Sequence, residues 1–504
     1  MTLLLLFNAA AVPSGVVVPT GDFPTSKVKR PEFAYLALES LNNEAVELNA
    51  NSAAKWRLAA TSVAPDSHGR LRRIIALSGG VLYAQGASDW EGFDGPLDAK
   101  LDADANYYWM ELLSQKVYMG DGLKYMVYSP KTNELTKLIA AGSGEIPEKC
   151  AIAAVYRGRL VLARSAEQPT NWYMSAVDQP TNFDFFPPTI TSDQAVFGNN
   201  APAGLCPDIV NALIPYSDDY LIFGCDQSIW RMTGDPMEGG AFDRMSDSTG
   251  MAFGKSWCKD PEGVIYFFGS KGGVYRMTPG QPPQYLSDSR DGQDVSIQNR
   301  LKDLDMSRYR IELSWDFERQ ELGVTQIPYA ENETGIPLSW RWSSKTNAWW
   351  EDDLGAAGLM PYSIWSADGD LPGDRRLIYG CQDGYLREVD SAANGDDGTA
   401  IDAYVTIGPV ASPEDVEVML NRLKGFLARE QSGCTYEVYV SDDPSTLGQV
   451  VAKGSLKPGQ NPRLPVRKRG AFLWLRLRNT KLNERYAIES LSGDVTAMGQ
   501  RRVR

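Results

Sequence analysis

Histidine is nearly missing: among 504 residues there is one, His68. A Ser-His-Asp or Cys-His nucleophile would have to use it as its base. It lies in the polar stretch Pro65-Asp-Ser-His-Gly-Arg70, which reads as a turn and not as a catalytic setting. Zinc sites built on two or three histidines are excluded, and a cysteine-only site needs close pairs. The six cysteines (150, 206, 225, 258, 381 and 434) include no C-x-x-C. They read as scattered, buried, reduced thiols of a protein made in a cytoplasm; spacing alone leaves disulfides open. No apolar run approaches the roughly 18 residues of a membrane helix. The start, Met1-Thr-Leu-Leu-Leu-Leu-Phe7, is apolar but short, lacks a basic n-region and breaks at Asn8. It fits an N-terminal strand or a tucked end better than a signal peptide, although Ala9-Ala-Ala11 loosely resembles a cleavage site.

Catalytic and metal patterns are also missing. There is no P-loop and no dinucleotide fingerprint. Asp102-Ala-Asp-Ala-Asn106 opens like an EF-hand loop, but Tyr107 stands where the glycine belongs and Leu113 where the glutamate belongs. Ala393-Asn-Gly-Asp-Asp-Gly398 reads as a turn. Paired acids are abundant, so glycoside hydrolysis was weighed. Ser343-Ser-Lys-Thr-Asn-Ala-Trp349 faintly resembles a turn of sialidase blades, which is structural even there. No organised arginine set with a placed Tyr and Glu accompanies it. No catalytic residue, metal ligand or cofactor is expected, and the chain does not read as an enzyme.

What is present begins with charge. The formal net charge is -14, yet residues 421–504 hold 16 Lys and Arg against 7 Asp and Glu. That terminal stretch is therefore +9, and the 420 residues before it are -23. Such asymmetry points to two parts with different surfaces. The acidic body argues against tight binding of a phosphate backbone and suits a surface that DNA passes without sticking. Arg463, Arg467, Lys468, Arg469, Arg476, Arg478, Arg501, Arg502 and Arg504 form the basic cluster. In an acidic protein, pairing with a neighbouring copy's acidic body explains them better than nucleic-acid binding. A charged edge is the plainer alternative.

Short apolar and aromatic runs, separated by Gly, Asp, Asn, Ser and Pro, predict an all-β chain. Residues 220–233 (YLIFGCDQSIWRMT) align without gaps on residues 265–278 (IYFFGSKGGVYRMT), 45 positions later. Residues 378–387 (IYGCQDGYLR) match the same frame from Ile222. In each copy an apolar strand ends in Gly224, Gly269 or Gly380. A polar turn follows, and the return strand carries Trp230-Arg231, Tyr275-Arg276 or Leu386-Arg387. This is a β-hairpin pattern. Related strand starts near 81, 117, 161, 221, 265, 321 and 378 predict a β-propeller of seven blades, with six or eight as alternatives. Unrelated hairpins in a large β-sandwich are the competing reading. Helix is expected at residues 33–48 and 294–304.

Near residue 410 the pattern changes. Residues 416–427 fit a helix or a strand. Cys434-Thr-Tyr-Glu-Val-Tyr-Val440 and Ala471-Phe-Leu-Trp-Leu-Arg-Leu-Arg478 alternate, with Leu473, Leu475 and Leu477 on one face. The division expected is an N-terminal segment, 1–70, whose contribution of a strand is left open; a propeller, 71–411; and a basic β-sandwich-like domain, 412–504.

One stretch carries a family resemblance. Asn171-Trp-Tyr-Met-Ser-Ala-Val-Asp-Gln-Pro-Thr-Asn-Phe-Asp184 resembles a W-x-S-A-x-D-x-P-T-N-F-D segment of tail proteins from short-tailed bacteriophages. Ser228-Ile-Trp-Arg-Met232, Met251-Ala-Phe-Gly254, Trp257-Cys-Lys-Asp-Pro261 and Gly272-Gly-Val-Tyr-Arg276 are also similar, as is the ending, an R-L-R-N strand with terminal arginines. The resemblance covers roughly residues 70–504. The family is the tail nozzle, also called the tail tubular or packaged-DNA stabilisation protein. It implies a virion subunit without an active site, made in the host cytoplasm and assembled as a six-copy ring. The ring would continue the DNA channel below a tail adaptor, retain the packaged genome and open for ejection. It would be flanked by fibres, spikes or a needle, and double-stranded DNA would cross its lumen without sequence-specific contacts. A propeller-type receptor binder or glycan-degrading tail protein is the alternative.

Overall fold

The computed structural model describes most of residues 71–500 and three strands before them; residues 86–89, 287–300, 330–338, 353–360, 368–375, 412–415, 501–504 and a few shorter stretches lie outside the description. Two compact units emerge: residues 18–388, and residues 1–17 together with 389–504. The first two strands are β1 (Thr2–Leu5) and β2 (Gly15–Val17). The next twenty-four strands form six four-stranded antiparallel blades in chain order, and three more share a seventh sheet with β2.

Blade 1 is β3 (Tyr35–Leu41), β4 (Leu71–Ser78), β5 (Val81–Gln85) and β6 (Trp90–Phe93). Blade 2 is β7 (Trp109–Leu113), β8 (Lys116–Gly120), β9 (Tyr125–Ser129) and β10 (Glu134–Lys137). Blade 3 is β11 (Cys150–Tyr156), β12 (Arg159–Ser165), β13 (Trp172–Met174) and β14 (Val196–Phe197). Blade 4 is β15 (Val210–Ser217), β16 (Tyr220–Cys225), β17 (Ile229–Thr233) and β18 (Ala241–Ser246). Blade 5 is β19 (Trp257–Lys259), β20 (Ile265–Phe268), β21 (Val274–Met277) and β22 (Gln284–Tyr285). Blade 6 is β23 (Tyr309–Asp316), β24 (Glu321–Pro328), β25 (Ser339–Ser343) and β26 (Ala348–Asp352). Blade 7 comprises β27 (Pro361–Ala367), β28 (Arg376–Cys381) and β29 (Leu386–Asp390), and its sheet order runs β2-β29-β28-β27.

This is a seven-bladed propeller. First strands lie side by side from β19 through β23, β27, β3, β7 and β11 to β15, and a shared core joins blades 4 and 5. A single blade cannot cover both faces of its own sheet, and stacking does it. One core runs through blades 1 to 4 and includes Leu82, Trp109, Val161, Trp172 and Phe223. A second joins blades 4 and 5 through Ile214, Ile222, Met251 and Phe267. A third joins blades 5 and 6, where Tyr266 stacks on Trp315 with ring centroids 5.1 Å apart.

The repeat seen in the sequence is the hairpin of each blade's second and third strands. Phe223 pairs with Trp230, and Phe267 with Tyr275, as cross-strand aromatic partners. Arg231, Arg276 and Arg387 occupy matching positions opposite Ile222, Tyr266 and Tyr379. Arg231 reaches the fourth strand through Asp243 at 2.9 Å, and Arg276 does so through Gln284 at 3.3 Å. Arg387 is buried against Tyr385 instead. Gly380 pairs with Leu386. The strand-end glycines make room: a Cβ on Gly224 would lie 2.9 Å from Met251 Cβ, and one on Gly269 would lie 2.7 Å from the Tyr275 ring. Gly224→Val should therefore destabilise the propeller by about 1–3 kcal/mol, because the blade 4–5 core has no space to give. A lower urea midpoint with an unchanged slope is the expected reading.

The C-terminal unit is a β-sandwich. One sheet has the order β30 (Ala403–Val410), β35 (Phe472–Asn479), β32 (Cys434–Ser441), β33 (Gln449–Leu456). The other has the order β1, β36 (Ile488–Gln500), β31 (Val416–Leu427), β34 (Gly459–Gly470). Leu420, Leu423, Val438, Leu473, Leu475, Leu477 and Leu491 fill the space between them. Strand β35 alternates buried and half-buried along its whole length, as its leucine spacing requires.

Three expectations change and one open reading closes. Residues 35–41, expected within a helix, form the inner strand of blade 1 and pair with β4 over seven positions. The run fits both periods, and the sheet partner decides. The propeller accordingly begins before residue 71. The later boundary lies at residues 388/389 and not at 411/412, because β30 pairs with β35. Residues 416–427 are a strand, held between β34 and β36. Of the helix expected at 294–304, Leu301 is described as helical, and most of the rest lies outside the described residues.

Candidate subunit interface and the axial charge cluster

The moved boundary changes the charge picture. Residues 389–420 carry seven carboxylates and no Lys or Arg, so the sandwich unit nets only +2 and residues 18–388 carry -16. The basic character is local, not spread over the domain.

The structure divides the nine basic residues. Arg463, Arg467, Lys468 and Arg469 all lie exposed on β34, an edge strand. Arg469 sits 3.6 Å from Glu417, whereas Arg463, Arg467 and Lys468 have no ion-pair partner among the described residues. Strand β34 also carries exposed Pro462 and Pro465, and a register break at which Arg467 takes a φ of 51°. Proline, basic side chains and a bulge keep a free edge from pairing indiscriminately with other chains.

Arg476 and Arg478 lie elsewhere, on the outer face of the other sheet, and are engaged there. Arg476 rests between the rings of Tyr404 (4.5 Å) and Tyr439 (5.3 Å) and donates to Thr406 Oγ1 at 3.0 Å. Arg478 Nε donates to Asp402 Oδ1 at 2.6 Å, and this hydrogen bond raises the guanidinium above its ordinary value. Beside them, Glu437 accepts from Lys453 (2.8 Å) and Tyr439 (2.8 Å), which holds its carboxyl below the usual range. Arg501, Arg502 and Arg504 lie outside the described residues, as does His68. Gln500, which precedes them, stands opposite Val416, at the end of the sheet that carries 467–469.

The phage-like segment 171–184 builds a clasp on blade 3. Trp172 is fully buried and its Nε1 donates to Gly204 O at 3.1 Å. Ser175 Oγ accepts from Leu160 N (2.9 Å). The following turn closes through Ala176 N to Asn182 O (2.9 Å) and Asp178 N to Gly158 O (2.9 Å). Under this turn lies Arg159, wholly buried, donating to the carbonyls of Ser175 (3.0 Å), Ser192 (2.8 Å) and Gln194 (2.5 Å). Its Nη2 is 3.6 Å from Asp235 on the next blade. The motif therefore fixes a loop.

A second group of charges escaped the sequence reading. Glu111 on β7, Lys255 just before β19, and Arg310 and Glu312 on β23 interact electrostatically. Glu111 and Lys255 belong to blades 2 and 5, which are not neighbours in the ring, so their electrostatic coupling links distant blades. Arg310 lies 3.3 Å from Glu312, whose Oε2 accepts from Ile364 N on β27 at 3.0 Å. Burial lifts Glu111 from 4.5 to about 7, with Lys255 opposing the rise. Burial lowers Lys255, opposed by Glu312 and Glu111. The signal was present: Arg310, Glu312, Ser314 and Asp316 put buried polar groups at every second position of one strand. What no spacing rule supplies is the coupling between distant blades.

No family model matches the chain, and no curated protein matches it. Among solved structures, it is similar to the extracellular domain of a putative hybrid two-component system from B. thetaiotaomicron, at 9% identity and a TM-score of 0.42 over 80% of this chain and 46% of that one. This chain thus spans less than half of that protein's length. It is also similar to YCF48 bound to a D1 peptide (10% identity, TM-score 0.41, 75% of this chain and 97% of that one) and to an ancestral GH74 enzyme (10% identity, TM-score 0.38, 84% and 53%). Those likenesses stand at the level of fold, and the sheet order makes this chain a seven-bladed β-propeller joined to a β-sandwich.

Proposed function

We propose that this protein is a structural subunit of a phage tail nozzle, a non-enzymatic ring that continues the DNA channel. The observation that carries the reading is the segregation of charge. An acidic propeller of -16 is joined to a sandwich whose edge strand bears exposed Arg463, Arg467 and Lys468, none with an ion-pair partner among the described residues. A closed ring needs one face of a subunit to meet a different face of the next, and opposite charges on separate units suit such a contact. The remaining acidic surface would repel phosphates from the lumen. The DNA path would run between copies. An adaptor above and fibres, spikes or a needle around the ring would be its neighbours in the virion.

The test is charge reversal on β34. Removing residues 461–504 would delete β35, β36 and most of β34, so it would unfold the sandwich along with any interface. Arg463→Glu/Arg467→Glu/Lys468→Glu leaves the core intact. Wild-type protein should form six-fold rings by mass photometry and electron microscopy, and the triple variant should remain monomeric with an unchanged melting midpoint. Raising the salt from 0.05 to about 1 M should also dissociate wild-type rings, because exposed charge pairs are screened beyond a few ångströms at that strength. Rings that survive both treatments would remove the basis of the proposal. Release of reducing sugar from a host polysaccharide would favour the glycan-degrading alternative.

A further inference from the structure

Of the six cysteines, two meet. Cys206 and Cys225 place their Sγ atoms 3.2 Å apart, both buried. A disulfide requires about 2.05 Å, so closure asks for a movement of roughly one ångström. The two partners differ in how freely they can make it. Cys225 ends β16, paired on both sides within blade 4. Cys206 belongs to the connection between β14 and β15, outside any strand, and its neighbour Leu205 is 44% exposed. That connection is anchored on both sides of Cys206, by Gly198 N to Trp172 O (3.0 Å) and Trp172 Nε1 to Gly204 O (3.1 Å) before it, and by Gln227 N to Asp208 Oδ2 (2.7 Å) and Asp226 N to Ile209 O (3.0 Å) after it, while residues 205–207 themselves make no backbone hydrogen bond among the described residues.

We propose that Cys206 and Cys225 are a modification site, a dithiol that closes to a disulfide when the protein meets a disulfide oxidant such as oxidised glutathione. The Cys206 thiolate, exposed by a local opening of residues 205–207, attacks one sulfur of the oxidant. A mixed disulfide forms and one glutathione leaves as thiolate. Cys225 then loses its proton to solvent and its sulfur attacks Cys206 Sγ, expelling the second glutathione. Two protein thiols are oxidised by two electrons, and one oxidised glutathione becomes two reduced ones. The hydrogen bond with Cys206 and burial push the Cys225 thiol up, which suits it to the resolving role and not the attacking one. The product staples the β14–β15 connection to blade 4.

The full-length protein is incubated with oxidised glutathione, then denatured, alkylated and analysed by intact mass and peptide mapping. Six alkylated thiols are expected before treatment and four after it, with the residues 206 and 225 peptides recovered cross-linked. The melting midpoint should rise, and dithiothreitol should reverse both changes. Cys225→Ser should stop at the mixed disulfide on Cys206, and Cys206→Ser should keep all five remaining thiols. Wild-type mapping stands by itself if either variant fails to fold. Six alkylated thiols after prolonged oxidation, or a cross-link joining any other pair, would overturn the assignment.

Discussion

Arg159→Met should cost the propeller about 3–5 kcal/mol, which is among the largest effects any single side chain here can have. The guanidinium is wholly buried and donates to three carbonyls that belong to the turn and loop of blade 3. Burial pulls its pKa down, and Asp235 opposes the change. Methionine fills much of the volume but leaves the three acceptors and Asp235 without their donor. Unmade buried hydrogen bonds carry the desolvation cost of each group. Urea unfolding followed by tryptophan fluorescence gives the loss as a shift in midpoint. Arg159→Lys should recover only part of it, because one ammonium cannot reach acceptors arranged for a planar fork. A loss below 1 kcal/mol would mean that water replaces the clasp.

The second large effect is a pH dependence with its origin at Glu111. Glu111 is raised to about 7 in the folded protein, from 4.5. A carboxyl raised on folding binds more protons in the native state than in the unfolded one between those two values. Stability therefore falls as pH climbs from about 4.5 to 7, and the native state carries the full penalty above that range. The shift sets an upper bound of about 3 kcal/mol. Lys255 opposes the rise, and Glu312 and Arg310 act on Lys255 in turn, with opposite signs. Glu111→Gln cannot ionise, so the variant should lose this slope and should be the more stable protein at pH 8. Parallel wild-type and variant curves from pH 5 to 8 would show that Glu111 keeps its ordinary value.

Particular residues show how far the sequence reached. The hairpin of each blade was legible because its information is local: Gly224, Trp230 and Arg231 recur as Gly269, Tyr275 and Arg276 within fourteen-residue windows. The alternation of Leu473, Leu475 and Leu477 was legible for the same reason. Residues 35–41 were misread because a seven-residue run satisfies two periods and its partner, β4, lies about thirty residues away. The basic cluster was visible as composition, but whether each arginine is engaged was not. Arg478 meets Asp402, 76 positions away, while Arg467 faces outward from an edge.

The near-absence of histidine, the all-β class, the blade hairpins and the uneven charge were determined by the sequence alone, since each is a property of composition or of neighbours along the chain. The electrostatic coupling of Glu111 with Lys255 between non-adjacent blades, the approach of Cys206 to Cys225 and the pairing of β1 with β36 were decided only by the tertiary structure. Each depends on ring closure or sheet order, which bring together residues that nothing in their local pattern relates.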